Sequence, residues 1–135
     1  MGSMTVQYLG NLRTQATHLD SKNQIITDAP KDNQGNGEAF SPTDLLCTSL
    51  ASCKLTIMGI KAKALNVDIS GIKVSIEKIM TAAPPRKIAE IVLTFDWNGL
   101  DQKMTTEQMD SLKRSALACP VALSLDPSVK KTIHW

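Results

Sequence analysis

SPTDLLCTSLASCKLTIMGIKAKAL, residues Ser41 to Leu65, is the stretch on which the fold turns. Ser41 has the chemistry of a helix N-cap. Pro42 falls at the first helical position, where its missing N–H costs nothing, and Asp44 stands three residues after the cap. An acid there meets the positive end of the helix dipole, and Lys61 and Lys63 lie near the negative end. Leu46, Leu50, Cys53, Ile57, Ile60 and Ala64 recur at steps of three or four, which predicts a helix to about Leu65 with one apolar stripe. Most of its other positions are small or apolar too. It reads as a central helix covered on more than one side.

Short β-prone pieces precede it: Val6 to Leu9, Thr14 to His18 and Gln24 to Thr27. Gly10-Asn11 and Asp20-Ser21-Lys22-Asn23 punctuate them, predicting a small antiparallel meander. Asp28 to Phe40 is a polar loop. Its Gly35-Asn36-Gly37 is no phosphate cradle, since the Lys and Ser/Thr of a P-loop are missing. After the helix, Gly71 suggests a bulge or bend. Ile72, Val74 and Ile76 then alternate with Lys73, Ser75 and Glu77. Ile91, Leu93, Phe95 and Trp97 alternate in the same way, with Ala82-Ala83-Pro84-Pro85 as the hairpin loop between the two strands and Asn98-Gly99 closing the second. Thr105-x-x-Gln108 resembles a capping box, and it opens a helix with Met109, Leu112 and Ala116 on one face. Pro120 should end that helix at Cys119. A Val121-Ala122-Leu123 turn and a last strand, Lys131 to Trp135, complete an α+β pattern.

The chain has 135 residues. Met1, Gly2 and Ser3, ahead of the start-like Met4, read as an expression-tag remnant, which leaves residues 4–135 as one expected domain. With 42% hydrophobic and 21% charged residues, the composition is ordinary globular usage. A net charge of +2 with two Trp, one Tyr and two Phe argues against a nucleic-acid partner. No apolar run approaches the roughly 20 residues of a membrane span, and no signal segment opens the chain. The expected location is cytoplasmic.

Three cysteines exclude a fully paired disulfide framework and leave inert thiols, a metal site or redox chemistry. Cys53 in the apolar stripe could be a buried hydrophobe. Cys119, at a helix end before Pro120, could be structural or presented for reaction. At 100° per residue the step from Cys47 to Cys53 turns the two side chains about 120° apart, so they cannot bond within one helix, and Cys47 reads as packing. Zinc would need about four closely spaced ligands, and the sequence has no Cys-x-x-Cys and no His near a Cys. His18 and His134 read as strand-surface residues, which leaves a Cys-His hydrolase without a signature.

Ser41-Pro42-Thr43-Asp44-Leu45-Leu46 followed by Ser49-Leu50-Ala51-Ser52-Cys53 resembles the first cysteine motif of the OsmC/Ohr family of thiol peroxidases. Ala118-Cys119-Pro120-Val121-Ala122-Leu123-Ser124-Leu125 resembles the second. The order, the separation and the element pattern match over nearly the whole chain after Ser3. The resemblance implies antiparallel sheets around a long central helix in an intertwined homodimer, with the cysteines at the subunit interface. It implies a Cys53 thiolate that reduces an organic hydroperoxide, with Cys119 resolving the sulfenic acid as a disulfide. A dithiol, in the family often a lipoyl-bearing protein, would regenerate the thiols, and no cofactor or metal is implied. The family's cation is an arginine from the N-terminal strands, here Arg13. Where the organic-hydroperoxide-resistance branch has a glutamate after the motif proline, this chain has Thr43, with Asp44 one position on as a candidate partner for Arg13. The departure shifts the match toward broader OsmC-like members. The alternative function is a non-enzymatic OsmC-fold protein that binds a small apolar ligand or a partner.

Overall fold

A computed structural model describes residues 2–135; Met1, the first residue of the expected tag remnant, lies outside the described residues. Two compact units divide the chain, one ending at Leu46 and the other running Cys47–Trp135.

The N-terminal unit holds strands β1 (Met4–Gly10), β2 (Arg13–His18) and β3 (Gln24–Asp28), joined in the expected antiparallel order β1-β2-β3. The β1–β2 turn uses Gly10, Asn11 and Leu12, all at positive φ (85°, 55° and 63°). Only Gly takes such angles freely, and Asn tolerates them. The following loop folds back on itself, with the Gly35 N–H donating to Pro30 O at 3.0 Å and the Gly37 N–H to Ala29 O at 3.1 Å. A Cβ on Gly35 would come within 1.7 Å of the Ala29 carbonyl oxygen, so this fold-back requires glycine. The loop ends at the capping site of helix α1 (Pro42–Ala64). There the Asp44 N–H donates to Ser41 Oγ at 3.1 Å, and the Ser41 N–H returns a bond to Asp44 Oδ2 at 2.9 Å.

The C-terminal unit carries α1 from Cys47 onward, β4 (Lys73–Met80), β5 (Ile88–Asp96), α2 (Thr106–Ser115), α3 (Pro120–Ser124) and β6 (Lys130–His134). The capping box of α2 is present as read, Thr105 and Gln108 exchanging side-chain and backbone bonds. Leu112 and Ala116 are buried on the expected face. β5 alternates as read, with Ile91, Leu93 and Phe95 facing inward. Phe95 stacks with Trp97 and lies tilted against Trp135, and the Trp97 indole N–H donates to Trp135 O at 3.2 Å, pinning Trp135 to the core. These side chains form one core with Leu50, Met58 and Ala62 of α1.

Several expectations are corrected. β6 pairs with β5 in parallel, Glu90 opposite Lys130 through Thr94 opposite His134, so the sheets are not purely antiparallel. The segment carrying α2 and α3 serves as the crossover that a parallel pair needs. The buried stripe of α1 is Cys47, Leu50, Ala51, Lys54, Met58 and Ala62, rotated from the stripe expected, and Leu46 and Ile60 are 41% and 65% exposed. α1 is long and apolar enough on average to cross a membrane, as core helices of folded domains also are, while Asp44 and Lys54 interrupt its apolar run. α2 ends at Ser115 and a 3-10 turn, Ala116–Ala118, carries the chain to Cys119. Val121-Ala122-Leu123 is part of α3 rather than a turn. Gly71 sits at φ 101° before β4, while the ladder irregularity lies at Ile79 and Met80.

Candidate functional site

Cys119 is the N-cap of α3. Pro120 at the first helical position leaves one orphan amide fewer, and the Ala122 N–H donates to Cys119 Sγ at 3.4 Å. The Cys-Pro step read from the sequence thus presents a sulfur at a helix start, completely buried. Burial pushes the Cys119 thiol up, the Ala122 N–H works against this, and a side-chain hydrogen bond and the charge of Cys53 add to the rise. Cys53 is half-buried on α1, and none of the three cysteines is in a disulfide. Cys47, 1% exposed within the core, occupies the packing position read for it.

Lys54 is the site residue that sequence reasoning missed. It is 3% exposed, and its ammonium donates to the Ala116 carbonyl at 2.9 Å, in the 3-10 turn leading to Cys119. Burial pushes Lys54 down, the charges of Cys119 and Cys53 draw it back up, and Lys131 lowers it further. The signal lay in the spacing: Leu50, Lys54, Met58 and Ala62 follow at steps of four, one face of a helix. A lysine in register with an apolar stripe, next to a cysteine, is a candidate buried cation.

Arg13 belongs to the N-terminal unit, where it begins β2. Its guanidinium bonds Glu38 Oε2 at 2.9 Å and lies 3.7 Å from Asp28 Oδ2. Asp28 is buried, and its Oδ2 also accepts the Glu38 N–H at 2.9 Å, so acid and loop backbone are held together. Glu38 and Asp28 are the carboxylates the sequence reading did not assign to Arg13. The Asp44 carboxylate accepts the Ser41 N–H in the cap. His18 bonds Ser21 Oγ through Nδ1 at 2.7 Å, and His134 is exposed on β6, both as expected. Among the described residues, no three His, Cys, Asp or Glu side chains come together as metal ligands.

The family model for OsmC-like proteins matches residues 35–134, which takes in α1 with Cys53 and the Cys119 cap. The chain belongs to the OsmC-like family. A Psychrobacter arcticus crystal structure, provisionally described as an osmotic stress induced and detoxification response protein, is 48% identical. It covers 99% of this chain and 95% of its own, with a TM-score of 0.87. The OsmC organic hydroperoxide resistance protein of Legionella pneumophila shares the fold at 16% identity, covering 97% and 93%, with a TM-score of 0.71. An organic hydroperoxide resistance protein of Elizabethkingia anophelis does so at 13% identity, covering 98% and 92%, with a TM-score of 0.68. No curated protein matches the sequence. In this OsmC-like chain, Cys53 and Cys119 both fall in the C-terminal unit, and Cys53 acts on the Cys119 thiol there.

Proposed function

We propose that this OsmC-like protein is a thiol-dependent peroxidase that reduces organic hydroperoxides to alcohols. The observation that carries the reading is that Cys53 lies near enough to the buried Cys119 to push its thiol upward, through hydrogen bonding and charge. A sulfenic acid formed on one would have its resolving thiol already in reach. The Cys53 thiolate attacks the hydroperoxide, forming an S–O bond and breaking O–O. The departing alkoxide takes a proton from water and leaves as the alcohol. The Cys119 thiol then attacks the Cys53 sulfenic acid: S–S forms, S–O breaks and water leaves. A dithiol reductant, of which a lipoyl-bearing protein is one form, exchanges with the disulfide, restores both thiols and departs oxidised.

The geometry supports this division of labour. Cys53 is partly exposed and can meet a substrate, whereas Cys119 is fully buried and held as a thiol by its surroundings. Arg13, paired with Glu38 and Asp28, is proposed as the arginine of the reaction. A homodimer is proposed to cover the exposed Met4, Val6 and Tyr8, alternate residues on one face of β1, since apolar side chains gathered at a surface mark an interface. The cytosol, where thiols stay reduced, is the proposed location. A non-enzymatic binder would have no use for two cysteines brought near each other, and the influence of Cys53 on Cys119 favours the redox reading over it.

Steady-state reduction of cumene hydroperoxide with dihydrolipoamide tests the proposal. Wild-type protein should turn over, and Cys53→Ser should not; wild-type turnover in Cys53→Ser would end this assignment.

A further inference from the structure

A lysine is almost never fully buried unless it is paired, and Lys54 is 3% exposed. Its ammonium donates to a carbonyl, Ala116 O at 2.9 Å, which satisfies a donor without neutralising the charge. Three groups act on it electrostatically: Cys53 from its own helix, Cys119 at the cap of α3 and Lys131 from β6. Lys131 repels it, and its own Nζ donates to Val129 O at 3.1 Å. Among the described residues that act on it, the two sulfurs are the ones that can supply negative charge. The tether also has a mechanical side. Ala116 opens the turn whose end is Cys119, while Lys54 adjoins Cys53 on α1, so one side chain links the two cysteine segments.

We propose that Lys54 is the counter-cation of the Cys53–Cys119 pair, a positioning residue that holds the segment leading to Cys119 against α1 and sets a fixed ammonium beside the thiolate. The inference rests on the peroxidase reading for its role in turnover, but not for its electrostatic content. Disulfide formation removes both potential thiolates at once. Lys54 is then left with the Ala116 carbonyl and the repulsion of Lys131, and its proton is released to solvent more readily than in the reduced protein.

The test is the pH profile of iodoacetamide alkylation in the fully reduced protein, read at the Cys53 peptide by mass spectrometry. Lys54→Met should make alkylation near neutral pH about tenfold slower. Lys54→Arg keeps the charge and should stay within about threefold of wild type. A Lys54→Met profile that overlays the wild type would overturn the proposal, because a purely structural tether leaves thiol ionisation where it was. Should Lys54→Met fail to fold, the wild type decides by NMR titration of the Lys54 side chain, first reduced and then with the disulfide made by diamide. A lower Lys54 midpoint in the disulfide form supports the assignment, and equal midpoints overturn it. No hydroperoxide enters either experiment. A shifted alkylation profile without peroxide turnover would therefore sink the peroxidase reading alone.

Discussion

Replacing Cys119 by alanine separates what its sulfur does for the fold from what it does for the chemistry. The sulfur is completely buried and accepts the Ala122 N–H at 3.4 Å as the cap of α3. Losing that acceptor should cost toward the low end of cap substitutions, about 0.5–1 kcal/mol, since sulfur accepts weakly. Losing a buried group the size of a methylene adds about 1 kcal/mol. The total of roughly 1.5–2 kcal/mol corresponds to a melting temperature lower by about 5–8 °C for a chain of this length, well short of unfolding. Cys119→Ser restores a cap acceptor of a different size, which gives a second structural control with the same chemical loss. After one equivalent of cumene hydroperoxide, both variants should hold Cys53 as a sulfenic acid that dimedone captures, whereas wild type should pass to the disulfide. Circular dichroism melts and peptide mass analysis read the two effects separately. Wild-type turnover in Cys119→Ala, or a Cys53–Cys47 disulfide in its place, would refute the reasoning.

Leu50→Ala, at a fully buried position of α1, should cost about 3 kcal/mol in urea unfolding through the cavity it leaves, and a cost below about 1 kcal/mol would mean the core is not built around that face. Alkaline pH should act through Cys119. Its folded pKa is raised above the ordinary value of 9.0, so between the two the unfolded chain has lost a proton that the native state keeps. Stability is then lost as pH rises from the ordinary value through the folded one. Urea midpoints followed upward from neutral pH should fall less steeply in Cys119→Ser than in wild type; parallel slopes would contradict the buried-thiol assignment.

Local chemistry carried much of this fold into the sequence. Ser41, Pro42 and Asp44 announce α1 because a cap needs those groups at that spacing, and the Thr105–Gln108 box does the same for α2. The alternation of β5 is visible because one face is buried and the other wet. What stayed hidden depends on partners remote in sequence. The parallel pairing of β6 follows from a crossover rather than a turn. The stripe of α1 was misplaced because the helix is apolar nearly all round, so periodicity discriminates its faces poorly. Lys54 was passed over because a charged residue reads as solvent-facing until Ala116, 62 residues on in sequence, is seen to receive it. Glu38 and Asp28 reach Arg13 through a loop whose fold-back rests on Gly35, which no strand or helix pattern registers.

Intact-mass analysis of the wild-type protein after one equivalent of organic hydroperoxide tests the central claim most directly. Loss of two hydrogens, mapped by non-reducing peptide analysis to a Cys53–Cys119 crosslink, is the predicted result. An unchanged mass, or oxygen retained on Cys53 with Cys119 still a free thiol, would contradict it.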